Sequence, residues 1–118
     1  MRRSVLLQLA RDSIAEVLEA QRTIDRNALL ETHPLLAQQI PSSVNIYLER
    51  KLRGSASSGT STSSLLEDII KNAKRAAFED TNFRPLSTSE YLDCEVEIIL
   101  DTPDGVISQR DPAILSTV

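Results

Sequence analysis

The sequence predicts an α+β fold in which a small antiparallel sheet is packed by two main helices. Three observations predict it. Residues 4–21 and 64–78 carry apolar side chains at helical spacing. Residues 44–49 and 94–100 alternate apolar and polar, as half-buried strands do. Turn-forming residues stand between these segments where short connections are needed. With 118 residues there is room for one core, so 1–118 is read as a single domain with a peripheral tail at 111–118.

Ser4 to Gln21 forms the first helix: Leu6, Leu9, Ala10, Ile14, Val17 and Leu18 share one side, and Ser4 is its cap. Arg11, Asp12, Glu16 and Glu19 fall mostly on the other side. Asn27 to Leu30 adds a helical turn. Thr32-His33-Pro34 then breaks it, because proline restricts the residue before it. Pro41 and the serines behind it mark the next boundary. Val44 to Glu49 is the first strand, with Val44, Ile46 and Leu48 on one face and Asn45, Tyr47 and Glu49 on the other. Lys51 to Ala56 pairs with it through a tight turn near Glu49-Arg50. Gly54 inside that strand points to a bulge or to close approach by another group.

Ser55 to Ser64 is nearly all Ser, Thr, Ala and Gly and reads as a flexible loop. It ends in Ser64-Leu65-Leu66-Glu67, a capping box that starts the second main helix. That helix runs to about Phe78 and buries Leu66, Ile69, Ile70, Ala73, Ala76 and Ala77, whose small alanines permit close packing on a sheet. Asp80 to Leu86 is irregular, and Ser87-Thr88-Ser89-Glu90 opens a short helical turn with the same box. In Cys94 to Leu100, the clearest strand, Cys94, Val96, Ile98 and Leu100 line one face, and Glu95, Glu97 and Ile99 the other. Thr102-Pro103-Asp104-Gly105 is a turn, and Val106 to Ser108 returns as a hairpin.

Composition narrows the functions. A formal charge of −4 and only two Tyr and two Phe oppose nucleic-acid binding, which needs a basic surface and often stacking rings. The single Cys94 excludes an internal disulfide and a multi-cysteine zinc site, and its inward alternation reads as inert core. His33 has no second ligand at metal spacing. The apolar run Val5–Ala10 is too short for a signal core or a membrane span, so a cytoplasmic protein without metal or cofactor is expected.

Leu52-Arg53-Gly54 after an alternating strand, the helix from Leu66 to Phe78, then Asp80, Phe83, Pro85 and Leu86, and the strand Val96-Glu97-Ile98 stand in an order that resembles the AMMECR-type (AMMECR-one) domain family. The resemblance covers about 4–103 and implies an α+β domain of unsettled molecular function. Two departures qualify it. Where the family carries Cys-Ile-Gly after Arg-Gly, this chain has Ser55-Ala56-Ser57, so chemistry that needs that thiol is not expected. Family members also run longer, with a further sheet-forming C-terminal part, which makes this a short member.

Candidate ligand-binding residues are Arg53, Gly54, Ser55, Ser57, Asn72 and Glu97; none is assigned a catalytic or metal role. Arg53 with the hydroxyl-rich segment before a helix start has the chemistry to hold a small anion, and equally to form an ordinary capped linker. Asn72 and Glu97 match polar positions of the family. They either gather near Arg53 or satisfy local structure, with Glu97 neutralising Arg53. Ser55 and Ser57 lack a base and a nucleophile elbow. The resemblance implies a non-catalytic accessory module with a protein partner, Memo-like or radical S-adenosylmethionine in type, and self-association is a further expectation. The alternative is an enzyme or sensor binding a small anion at Arg53 and the Ser-rich loop.

Overall fold

The computed structural model describes residues 4–58 and 63–114. Helix α1, Val5–Glu19, starts where Ser4 Oγ accepts from the Leu7 N–H at 3.2 Å and ends at Ala20 in the left-handed region, φ 54°. Helix α2, Arg26–Thr32, is capped by Asp25, and a 3-10 turn at Pro34–Ala37 buries Leu36. The expected proline break is therefore a tightening of the chain rather than a loop.

Strands β1, Ser42–Leu48, and β2, Lys51–Ser57, join through Glu49-Arg50, both at positive φ (52° and 67°) as a two-residue hairpin turn requires. Their register shifts between Ile46 and Tyr47: Ile46 pairs with Gly54 and Tyr47 with Leu52, so Arg53 is the extra residue of a bulge. Both readings of Gly54 hold together. A Cβ at Gly54 would overlap the Ala76 carbonyl oxygen of helix α3, Leu65–Phe78. Ser55 and Ala56, which the sequence offers both to the strand and to the Ser-rich loop, belong to β2, and Ser57, expected in the loop, extends the strand by one residue. Alternation, weak in so polar a stretch, is restored by pairing with β1. Residues 59–62 of that expected loop lie outside the described residues, as do 115–118 of the tail.

Ser64 Oγ accepts from the Glu67 N–H at 3.3 Å, while the Glu67 carboxylate meets Arg26 Nε at 2.8 Å. Helix α4, Thr88–Asp93, carries a complete capping box between Ser87 and Glu90. Strands β3, Glu95–Thr102, and β4, Gly105–Asp111, finish a four-stranded antiparallel sheet of order β2-β1-β3-β4. Val44, Ile46, Val96, Ile98 and Leu100 face α1 and α3 and are buried with Leu9, Ile14, Leu66 and Ile69. Among the described residues no element covers the other face, which an antiparallel sheet tolerates when its residues are polar.

Helical spacing put Arg11 on the solvent side of α1, yet its exposure is 0%. Its Nε donates to Asp111 Oδ2 at 2.6 Å. Nη1 donates to Tyr91 O and to Cys94 Sγ, and Nη2 to Cys94 O and Pro112 O. Asp111, read from the sequence as the start of a peripheral tail, is 6% exposed and ends β4 against this guanidinium. A charge is buried at bearable cost only when paired and fully hydrogen-bonded, and here it is both.

Candidate functional site

The bulge turns Arg53 off the sheet toward the segment that follows α3. There its Nε and Nη2 make a two-toothed bond to Glu90, at 3.0 and 3.2 Å, and Nη2 also donates to Arg84 O at 2.7 Å. The guanidinium lies 5.4 Å from the centre of the Phe83 ring. Arg53 is 8% exposed, and its Nη1 has no hydrogen-bond partner. The bond from Arg53 holds the Glu90 carboxyl below the usual carboxylate range, against the upward pull of burial; the Ser87 N–H adds to the lowering. Glu90 thus caps α4 and neutralises Arg53 at once. The depression beside it, about 530 Å³, is lined by Glu49, Glu90, Asp93 and Glu95 with Arg50 as the only cation, the wrong sign for an anion.

Asn72 sits on the buried side of α3 and donates from Nδ2 to Ser42 O and Ser42 Oγ, both at 3.1 Å. It ties the helix to the first residue of β1, and its Oδ1 is a buried acceptor without a partner. Ser58 Oγ accepts from the Ser42 N–H at 3.1 Å, and its one proton is shared between Ser42 O at 3.2 Å and Asp68 Oδ2 at 3.3 Å, extending this cluster along the helix.

Glu97 belongs to the uncovered face. Its Oε1 accepts from Asn45 Nδ2 at 3.1 Å and from Tyr47 OH at 2.9 Å, and its Oε2 from Arg110 Nη2 at 3.3 Å. Arg110 Cζ lies 4.7 Å from the Tyr47 ring centre. The Asn45 bond leads in holding the Glu97 carboxyl below its ordinary range; burial opposes, and Tyr47 and Arg110 reinforce the lowering. Burial first, and then the bond and charge of Glu97, push the Tyr47 hydroxyl above its ordinary value. Ser55 Oγ joins this face by donating to Asn45 Oδ1 at 2.7 Å, and Ser57 stands on the same face opposite Ser43.

Arg53, Asn72 and Glu97 are therefore drawn into three separate networks, and Arg53 is neutralised by Glu90 rather than Glu97. The backbone explains this. Odd positions of β1 and β3 turn to the open face, while the bulge sends Arg53 the other way. Sequence reasoning named Glu90 only as a cap and passed over Tyr47, Asn45 and Arg110. One signal was available for Arg110: counting back from the turn at Pro103-Asp104 sets residue 110 opposite residue 97. Cys94 is fully buried, and burial pushes its thiol up against the influence of Arg11. Among the described residues, no group of three or more His, Cys, Asp or Glu is placed to hold a metal ion, and no helix is long and apolar enough to cross a membrane.

The sequence model of the family described as AMMECR1 matches residues 7–113. The crystal structure of an uncharacterized protein from Pyrococcus horikoshii is similar in sequence and fold, at 29% identity and a TM-score of 0.74. That match covers 83% of this chain and 50% of the other, so the chain spans about half the length of that relative. No curated protein matches the sequence.

Proposed function

The chain belongs to the AMMECR1 family, and on that premise we propose that it acts as a non-catalytic accessory module that docks a protein partner on the uncovered face of its sheet. The observation that carries this reading is the cluster of Tyr47, Glu97 and Arg110, in which an aromatic ring and two charges are held rigid on an otherwise open surface. Tyr and Arg are the side chains most enriched among interface anchors, and fixing them beforehand lowers the ordering cost of association. Leu52, 47% exposed, adds apolar area on the same face. A Memo-like or radical S-adenosylmethionine protein, the partner types the resemblance implies, is the first to try. The test is binding of each purified candidate to the wild type and to Tyr47→Ala. Affinity should fall at least tenfold in the variant; equal affinities for both proteins, or no binding to the wild type, would remove the proposal.

The second reading, an enzyme or sensor that holds a small anion at Arg53, Gly54, Ser55 and Ser57, has one observation in its favour: the unpartnered Arg53 Nη1. Glu90 already balances the Arg53 charge, Ser55 and Ser57 project from the opposite face of the sheet, and the nearest depression is acidic. An anion that raised the melting point of the wild type but not of Arg53→Ala would turn the argument toward this reading.

A further inference from the structure

We infer that β4 is a dimerisation edge, pairing antiparallel with β4 of a second copy about a two-fold axis through Ile107. The two edges of the sheet differ in how they are protected. At β2 the outward N–H of Ser55 donates to Asp80 Oδ2 at 3.1 Å, the bulge at Arg53 interrupts the line, and Lys51 places a charge on the strand. These are the devices that keep an edge from recruiting another chain. Among the described residues β4 has neither a bulge nor an outward N–H held by a carboxylate, and its exposed charge, Arg110, is turned back onto Glu97 of β3. Gly105–Asp111 contains no proline, no lysine and no register shift, and β3 is its only strand neighbour. Val106 and Ile107 are 70% and 50% exposed.

The ladder tells which groups of β4 face outward. Asp101 N–H donates to Pro41 O on the β1 side, so odd residues of β3 bond to β1 and even ones to β4. The pairs Leu100–Ile107 and Ile98–Gln109 then engage Ile107 and Gln109 with β3, and turn the main chain of Val106, Ser108 and Arg110 outward.

A two-fold through Ile107 sets Val106 against Ser108 in hydrogen-bonded pairs on either side of the axis. It brings Ile107 against its own copy on the helix-side face, in a non-hydrogen-bonded pair, where side chains approach most closely. It also places Asp104 opposite Arg110 twice, once on each side. A two-fold through Ser108 instead sets Arg110 opposite Val106, losing both ion pairs and the Ile107 contact. Charge and apolar complementarity therefore select the first register and a second copy of this chain as the occupant. The inference shares Arg110 with the partner surface above, but it rests on the main-chain edge of β4 and not on the sheet face.

The experiment is sedimentation of the full chain across a micromolar concentration series, for wild type, Ser108→Pro and Asp104→Arg. Proline at 108 removes an outward N–H and obstructs the edge without breaking a bond to β3. Arginine at 104 meets Arg110 of the other copy. The wild type is expected at twice the monomer mass and both variants at half the wild-type mass, with added salt partly restoring the Asp104→Arg dimer by screening. A wild type that stays monomeric throughout overturns the inference, as does a dimer that Asp104→Arg leaves intact. Should circular dichroism find Ser108→Pro unfolded, Asp104→Arg decides alone.

Discussion

At the scale of single residues, Arg11 decides more than any side chain proposed for binding. Its guanidinium joins α1 to the end of α4, the start of β3 and the end of β4 through Asp111, Tyr91, Cys94 and Pro112. Removing one member of a buried ion pair leaves the other charge unpaired, at a cost of roughly 3–5 kcal/mol. That is a large part of the stability of a domain of this size, which runs to about 5–15 kcal/mol. Asp111→Ala is therefore expected to lower the urea midpoint severely, and Arg11→Ala likewise. A loss under about 1 kcal/mol for either would mean the pair is no more than a surface bridge. The helical pattern hid Arg11 because an apolar face leaves a buried cation indistinguishable from a solvated one until its acceptors are known. Gly54 is the opposite case. A lone glycine in a strand has few explanations, and the two offered for it in advance both apply.

At the scale of elements, the seat of α3 on β1 and β2 rests on small residues. Ala73, Ala76 and Ala77 are buried, and Gly54 lets the strand come up to the Ala76 carbonyl. Overpacking a close contact costs typically about 1–3 kcal/mol, and here the obstacle is main chain, which cannot rotate away. Gly54→Ala is expected to lose about 2 kcal/mol or more in denaturant unfolding, and Ala76→Gly in the same chain should not rescue it, because the carbonyl remains. Rescue would show that the side chain and not the backbone sets the spacing. The helices and three of the strands were legible because their local periods are strong. The last residue of β2 was not, because Ser57 stands in a run of small polar residues without alternation and becomes strand only by pairing with Ser43.

At the scale of the whole molecule, three carboxylates tie stability to pH. In Glu16, burial alone would raise the pKa. The N–H groups of Ile24 and Thr23 and the ammonium of Lys74 outweigh it, so the carboxyl lies below its ordinary range. Glu90 and Glu97 are lowered as well. A carboxyl that binds its proton less tightly when folded stabilises the fold above its unfolded pKa, about 4.3. That contribution disappears as pH falls through the lower folded value. The urea midpoint should thus vary little with these groups between pH 7 and 5, and fall below about pH 4. Glu16→Gln should shallow that fall. A midpoint that rises on acidification through this window would contradict the assignment.

The candidate site was half legible for a related reason. Residue types and family positions singled out Arg53, Asn72 and Glu97, each of which does anchor a polar network. Their supposed convergence depended on which way a bulge turns one side chain, and spacing carries no record of that.

The sequence by itself determined the helix N-caps and the hairpin turns, because each depends on residues within a few positions of one another, and the order of the elements and the family, because these are read along the chain without knowing which segments touch. Tertiary structure alone decided that Arg11 is interior, that Arg53 meets Glu90, and that Glu97 faces solvent with Tyr47 and Arg110. Those outcomes depend on partners from 13 to 100 positions away. Whether a charge can stay buried depends on the acceptors brought to it, and only the folded chain brings them.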